Sequence, residues 1–157
     1  MRVIRRLLAV WLGLWALVVA AGAVIRMTAR PVTDPAGPSF NLVTVFDGSE
    51  FRPTTSTLGS SKAFTMFGGT QLDLRRASTT QARILLDVTT ILGGTDIVVP
   101  DTWKVSVDGP MIAGGSDVNV TDHELLAADA PHLVVHATTV MGGLRIQSRP
   151  VIAAAAG

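Results

Sequence analysis

Three histidines are the side chains in this sequence whose type and spacing most readily suggest metal chemistry. His132 and His136 lie four residues apart in an apolar stretch, and His123 stands between Asp122 and Glu124. Imidazole and carboxylate groups are ligands of Zn²⁺ and related ions. If the apolar stretch is a strand, its two histidines share a face but lie about 13 Å apart, too far to bind one ion directly. We therefore predict exposed or edge histidines and no metal site.

Acidic residues form a second group that could bind a cation, because they follow glycines at regular spacing. These residues are Glu50, Asp96, Asp117 and, two positions later in its own repeat, Asp73. Stacked carboxylates repel one another and could hold a hard cation such as Ca²⁺. Gln71 interrupts the column, however, and Arg145 ends it with the opposite charge. We predict a solvated polar face.

The sequence shows no pattern of an enzyme that works through a nucleophile or a bound phosphate. It contains no cysteine, which excludes disulfides, thiol catalysis and cysteine-ligated zinc. No Gly-x-Ser-x-Gly elbow is present, and no glycine-rich loop is followed by Lys-Ser or Lys-Thr. We expect a protein that is not an enzyme and that has no cofactor.

Charge is distributed unevenly along the chain of 157 residues. Residues 1–30 contain five arginines and no acidic residue, whereas residues 31–157 contain eight basic and twelve acidic residues, a net charge of −4. Domains that bind nucleic acids carry basic surfaces. The sequence therefore argues against a nucleic acid as the partner of residues 31–157.

An uncharged apolar run occupies residues 7–25 and is long enough to cross a bilayer as one helix. Three arginines precede the run and two follow it, which favours a cytoplasmic N-terminus (residues 1–6) and a body outside the cytoplasm. We predict a transmembrane signal anchor. The alternative is a secretory signal peptide of residues 1–23 that ends in the small residues Ala21-Gly22-Ala23. Both interpretations export the body.

A pair of glycines recurs through the rest of the chain, at separations of 21, 25, 21 and 28 positions. The first copy is a degenerate Asp47-Gly48, and the others are Gly68-Gly69, Gly93-Gly94, Gly114-Gly115 and Gly142-Gly143. Two apolar residues precede each pair, and a polar residue and then an apolar residue follow it within four positions. This pattern predicts a strand, a sharp corner and a second strand, since glycine allows a corner to pack closely against its neighbour.

A repeat of this length predicts an all-β fold, a short β-solenoid of about five strand–corner–strand units over residues 40–149. The alternative is a β-sandwich in which the glycine pairs are hairpin loops. Proline-rich residues 26–39 form a linker that could cover the first coil, and residues 150–157 form a flexible tail after Arg149. Thr121 and Glu124 have the spacing of a capping box, which predicts a helical turn there.

The stretch from about 40 to 149 contains a specific order of motifs. They are Phe67-Gly68-Gly69 with Leu72-Asp73-Leu74, Leu92-Gly93-Gly94 with Ile97-Val98-Val99-Pro100, and Trp103-Lys104-Val105-Ser106-Val107-Asp108-Gly109 with Gly114-Gly115. In this order the stretch resembles the cell-wall-active antibiotics response family, whose best-known members are LiaF-type proteins. The resemblance implies a compact β-helical domain beside the membrane and a role in restraining an envelope-stress kinase system. LiaF-type members carry several transmembrane helices, whereas this chain has room for one.

The leading functional hypothesis is an anchored extracytoplasmic solenoid that binds an envelope or sensor protein. Trp103 is a candidate contact for that partner, because an edge tryptophan often anchors an interface. The structural alternative is a scaffold or adhesin-like module that stacks end to end through uncovered terminal coils. In that case Arg149-Pro150 would decide whether the last coil is blocked.

Overall fold

The structure is a computed structural model that describes residues 2–28 and 33–152. The chain divides into two compact units, Met1–Arg30 and Pro31–Gly157, which we describe separately. The proposed cytoplasmic start, the linker and the tail lie partly outside the described residues, which leave out positions 1, 29–32 and 153–157.

The first unit is one helix, α1 (Arg2–Thr28). An 18-residue window of its segment Val3–Ile25 has a mean hydropathy of 2.4, and the segment's length of 23 residues corresponds to about 34 Å of helix, enough to span a hydrocarbon core of about 30 Å. Trp11 and Trp15 lie one turn apart, with ring centroids 6.0 Å from each other. By length and composition α1 is a candidate membrane-spanning helix, longer at both ends than the run of residues 7–25.

The second unit contains nine strands among its described residues. They are β1 (Asn41–Val45), β2 (Gly48–Phe51), β3 (Ser61–Met66), β4 (Gly69–Asp73), β5 (Arg83–Ile91), β6 (Gly93–Pro100), β7 (Lys104–Asp108), β8 (Met111–Asn119) and β9 (His132–Arg149). Every strand pair is parallel. We name the strand–corner–strand units coil 1 (β1–β2), coil 2 (β3–β4), coil 3 (β5–β6), coil 4 (β7–β8) and coil 5 (β9). The prediction of an all-β solenoid is confirmed, and the β-sandwich alternative is wrong.

The glycine corners set the register of the stack. Gly69 pairs with Gly94 across coils 2 and 3, and Gly94 pairs with Gly143 across coils 3 and 5. Gly143 in turn pairs with Gly115 of coil 4. Each repeat therefore lies on its neighbour with equivalent residues aligned, as the sequence template predicts.

The order of the coils differs from their order in the chain. β9 pairs with β5 and β6 on one side and with β7 and β8 on the other, so the stack reads 1-2-3-5-4. Gly109-Pro110 interrupts coil 4 between its two strands, whereas β9 runs unbroken for 18 residues. A break in a coil costs hydrogen bonds to both neighbours if the coil lies inside the stack, but to only one neighbour if it lies at the end. The end is therefore the favourable position for the interrupted coil 4.

This order corrects the expectation that Arg149-Pro150 could block the last coil. Arg149 ends coil 5, which is inside the stack, and its carbonyl accepts a hydrogen bond from the N–H of Asp101 at 2.9 Å. Coil 4 is the end instead. The helical turn between coils 4 and 5 is a single 3₁₀ turn (His123–Leu125) capped by the carboxylate of Asp122, so the expectation that Thr121 caps it is wrong.

The core lies between the two arms of the coils and consists of stacked aliphatic side chains. Leu72, Ile97 and Ile146 form one inward column and are fully buried. A second inward column consists of threonines whose hydroxyls bond across the corner, with Thr65 to Thr70 at 2.6 Å and Thr90 to Thr95 at 2.8 Å. No buried side-chain polar atom of the described residues lacks a partner. The interior therefore satisfies its hydroxyl groups, as a stable core requires.

Candidate functional site

The first glycine of each pair is required by the packing of the coils. A β-carbon on Gly93 would lie 2.2 Å from the carbonyl oxygen of Gly68, and one on Gly142 would lie 1.9 Å from that of Gly93. At Gly114 the distance to the oxygen of Gly142 is also 1.9 Å. Carbon atoms do not approach a backbone oxygen this closely, so these positions admit only glycine unless the coils move apart.

The second glycine of each pair lies in open surroundings. A β-carbon on Gly48, Gly69 or Gly115 would have no described atom within 4 Å. On Gly94 and Gly143 the nearest atoms would lie at 3.9 and 4.0 Å, which is ordinary contact. These glycines form the floor of a groove of about 830 Å³ that runs across all five coils.

An apolar ridge borders the corners on the side of the preceding strands. We define the corner ridge as Phe46, Phe67, Leu92, Met141 and Ala113, which occupy equivalent positions in the five coils. The first three have φ values of 57°, 53° and 55°, a left-handed conformation that is strained for bulky residues. The rings of Phe46 and Phe67 are stacked with centroids 5.0 Å apart. At Phe46 and Leu92 the strained backbone thus directs an apolar side chain outward to an exposed position, and Met141 is exposed without such strain.

The polar column that lines one side of the groove is mixed in charge. In stacking order it reads Glu50, Gln71, Asp96, Arg145 and Asp117. Arg145 therefore separates two acids instead of ending the column, which corrects the sequence-based order. Its guanidinium lies 3.4 Å from the Asp117 carboxylate, and both side chains are exposed. Glu50 is paired with Arg52 in the same way. The column is a solvated polar face.

Asp73 does not belong to this column and has a structural partner. Its carboxylate is mostly buried and accepts two hydrogen bonds from the Arg75 guanidinium, at 2.9 and 2.8 Å. The Arg75 hydrogen bonds hold the pKa of Asp73 below its usual range, against the opposing effect of burial. This pair fixes the turn that leaves coil 2.

The three histidines all contact β7, the first strand of coil 4. His132 Nε2 lies 2.8 Å from the Ser106 hydroxyl, and His136 Nδ1 lies 2.6 Å from the Asp108 carboxylate. His123 Nε2 lies 2.8 Å from the carbonyl oxygen of Val105 and 3.2 Å from its nitrogen. The residues described include no group of three or more His, Cys, Asp or Glu side chains placed to hold a metal ion. The histidines instead attach coil 4 and its connecting loop to the stack.

The histidine contacts predict a pH-dependent stability. Burial, and then the nearby charges of His123, Arg83 and Lys104, lower the pKa of His132. The unfolded chain therefore takes up a proton first as the pH falls below about 6.5, and the free energy of unfolding decreases. Urea titrations of the full chain in detergent at several pH values between about 5 and 7.5 should show this decrease, and His132→Gln should flatten it. The same pH dependence of the free energy of unfolding in the parent and in His132→Gln would show that His132 does not cause it.

Trp103 lies in the core and not at the surface. Only 4% of its side chain is exposed, and it packs in the same buried cluster as Val105 and Leu133. The turn before it is closed by a hydrogen bond from the Trp103 N–H to the Pro100 carbonyl at 3.2 Å. The prediction that Trp103 contacts a partner is therefore wrong.

Within the described residues 33–152, nothing covers the end of the stack along β8. All nine residues of β8 are exposed, including Met111, Ile112 and Val118. Over β7, by contrast, the connecting loop supplies the His123 contact and the Ala128 carbonyl, which accepts a hydrogen bond from Lys104 Nζ at 2.9 Å. Sequence reasoning missed this surface because it assumed that coil 5 is last. The break at Gly109-Pro110 was the signal that could have identified the terminal coil.

Comparison with known proteins gives one family. The family model described as "Cell wall-active antibiotics response LiaF, C-terminal" matches residues 49–146, well over half of the chain. Searches of curated proteins and of solved structures gave no match. The matched region begins at the first corner and ends within coil 5, so it covers the groove, most of the corner ridge and the open end.

Proposed function

The chain belongs to the LiaF-like C-terminal family of cell wall-active antibiotics response proteins, and on that premise we propose that it is a membrane-anchored accessory protein of the cell-envelope antibiotic response. The family match over residues 49–146 carries the proposal. The domain acts without catalysis, by binding another envelope or sensor protein. Helix α1 anchors it, with the N-terminus in the cytoplasm and the solenoid outside.

Three features support a binding role. The corner ridge exposes apolar side chains, and three of its five residues have a strained backbone, which natural proteins retain mainly at functional sites. The terminal strand β8 leaves apolar residues uncovered. Among the ionisable side chains, in contrast, Asp73 and Arg75 form a structural pair, and His123 and His132 hold coil 4 by hydrogen bonds.

Anchoring follows from the composition of α1 and its flanks. The segment Val3–Ile25 is uncharged from Leu7 onward, and arginines at positions 2, 5 and 6 precede that uncharged run. An excess of basic residues before a span favours a cytoplasmic N-terminus. The alternative, cleavage after residue 23, would release the solenoid; the mass of the mature protein distinguishes the two.

Deleting the gene in its source cells should alter the response of an envelope-stress reporter to a cell wall-active antibiotic. The full chain should restore the response, and a chain with Leu12→Arg and Leu14→Arg, which place two charges in the span, should not. Leu12→Val and Leu14→Val serve as the matched control. An unchanged response in the deletion strain would contradict the proposal.

Orientation can be read in the same cells, because the chain contains no cysteine. A Glu124→Cys substitution, on the exposed loop over coil 4, should react with a membrane-impermeant maleimide in intact cells. Val3→Cys should react only after lysis. The opposite pattern would place the solenoid in the cytoplasm.

A further inference from the structure

The outer edge of β8 is an unpaired strand edge that continues the solenoid. β8 pairs with β9 along one side, and no described strand pairs with its other side. Met111 and Val118 continue inward columns of the core, where their equivalents Thr139 and Ile146 are buried, yet they are 36% and 43% exposed. Another strand on this edge would bury them as the preceding coils bury their counterparts.

The peptide groups of β8 are arranged to accept such a strand. Leu74 of coil 2 donates its N–H to Val98 of the next coil at 2.8 Å. Val120 is the equivalent residue in coil 4, so its N–H points to where a further coil would lie. Successive N–H groups of a strand point to opposite sides, so the N–H groups of Val118 and Ser116 point in the same direction as that of Val120. Long, exposed edges of this kind are templates for strand addition.

The charge around this edge determines which strand fits. Residues 101–131, which comprise coil 4 and its connecting loop, contain six acidic residues and one lysine, a net charge of −5. Arg145 of the adjacent coil partly offsets Asp117, but this pair is exposed and weak. A second copy would bring two such acidic ends together, which opposes self-stacking. A strand with basic residues complements it.

We propose that β8 is a docking edge that binds an extended segment of a partner protein in which apolar or β-branched residues alternate and lysines or arginines flank them. The segment adds as a further parallel or antiparallel strand, covers Met111 and Val118, and places its basic residues near Asp108 and Asp117. The inference rests on the proposed binding function and specifies its surface and the chemistry of its partner.

A pair of synthetic peptides tests the proposal on the full chain in detergent. Each is nine residues long, the length of β8, with valine and threonine alternating between terminal lysines in one and terminal glutamates in the other. The lysine peptide should bind saturably, at least about tenfold more tightly than the glutamate peptide. Raising the salt concentration from about 0.05 M to about 0.5 M should weaken the binding of the lysine peptide.

The variant Val118→Pro distinguishes pairing of the peptide with the edge of β8 from non-specific binding. Proline removes the N–H that points outward but leaves the groups of neighbouring residues that bond to β9, and edge strands tolerate proline. The lysine peptide should bind Val118→Pro about fivefold more weakly. Val118→Thr, which keeps the N–H and the branched shape, should bind as the parent does, and equal thermal midpoints establish that all variants are folded.

Several results would overturn the proposal. They are no saturable binding of the lysine peptide, equal binding of both peptides, and equal binding by Val118→Pro and Val118→Thr. A dimer that forms with rising concentration and is abolished by Val118→Pro would assign the edge to a second copy. None of these results affects the reporter response of the deletion strain, so failure of the docking edge is distinguishable from failure of the proposed function.

Discussion

Gly142→Ala should destabilise the solenoid by about 3 kcal/mol or more, one of the largest effects that a single methyl group can have in this chain. The added carbon would lie 1.9 Å from the carbonyl oxygen of Gly93, and the next contacts are also backbone atoms, at 3.0 and 3.1 Å. A flexible side chain could move aside, but these atoms belong to the corner of coil 3. Relief therefore requires separating β9 from β6, which lie in the middle of the stack.

The neighbouring substitution Gly143→Ala is the matched control. A β-carbon there would lie 4.0 Å from the nearest described atom, and the residue is not among those with positive φ. Its free energy of unfolding should be unchanged or about 0.5 kcal/mol higher, because alanine reduces the entropy of the unfolded chain. Urea unfolding followed by circular dichroism measures both variants. Similar losses in the two would show that the corner does not depend on close packing of the first glycine.

The register of the solenoid could be predicted from sequence because it is written in local, repeated chemistry. Every coil needs the same sharp corner, so the glycine pairs mark equivalent residues, and pairs such as Gly94–Gly143 and Gly143–Gly115 are aligned in the structure. The alternating apolar residues then define which side chains face inward. The glycine corner and the alternation of apolar residues are both properties of a single coil, so the repeated sequence pattern predicts them directly.

The order of the coils could not be predicted in this way, since the corners are alike and any coil could pack on any other. The order depends on which strand can bond on both sides. β9 is unbroken, whereas Gly109-Pro110 divides coil 4, and the connecting loop is long enough to let coil 5 return beneath coil 4. The sequence pattern places Arg145 at the end of its column and predicts that Arg149-Pro150 could block the last coil. Both expectations are wrong because they assume that the coils stack in the order of the chain.

The candidate site was harder to predict than the fold because exposure depends on that order. Met111 and Val118 occupy positions that are buried in coil 5, and their place at the end of the stack makes them accessible. Trp103 is the reverse case, because a tryptophan beside a turn looked accessible but is 4% exposed. The left-handed conformation of Phe46, Phe67 and Leu92 was also hidden, since sequence rules assign positive φ to the adjacent glycines.

Ile146→Ala should cost about 3 kcal/mol, the second of the two largest effects, and comparison with Val118→Ala tests whether the end of the solenoid is open. Ile146 is fully buried between Ile97 and Val118, and truncating it leaves a cavity that stacked backbones on both sides prevent from closing. Val118 occupies the equivalent position one coil further on but is 43% exposed. Its truncation should cost less than about 1 kcal/mol, because solvent already reaches it.

The two variants are measured on the full chain in detergent by urea unfolding. A large loss for Ile146→Ala with a small loss for Val118→Ala is expected for the chain alone. If the docking edge is used, adding the lysine-flanked peptide should increase the difference between Val118→Ala and the parent, since the added strand buries Val118. A loss for Val118→Ala as large as that for Ile146→Ala, without any peptide, would mean that coil 4 is already covered, and the open edge would then have to be abandoned.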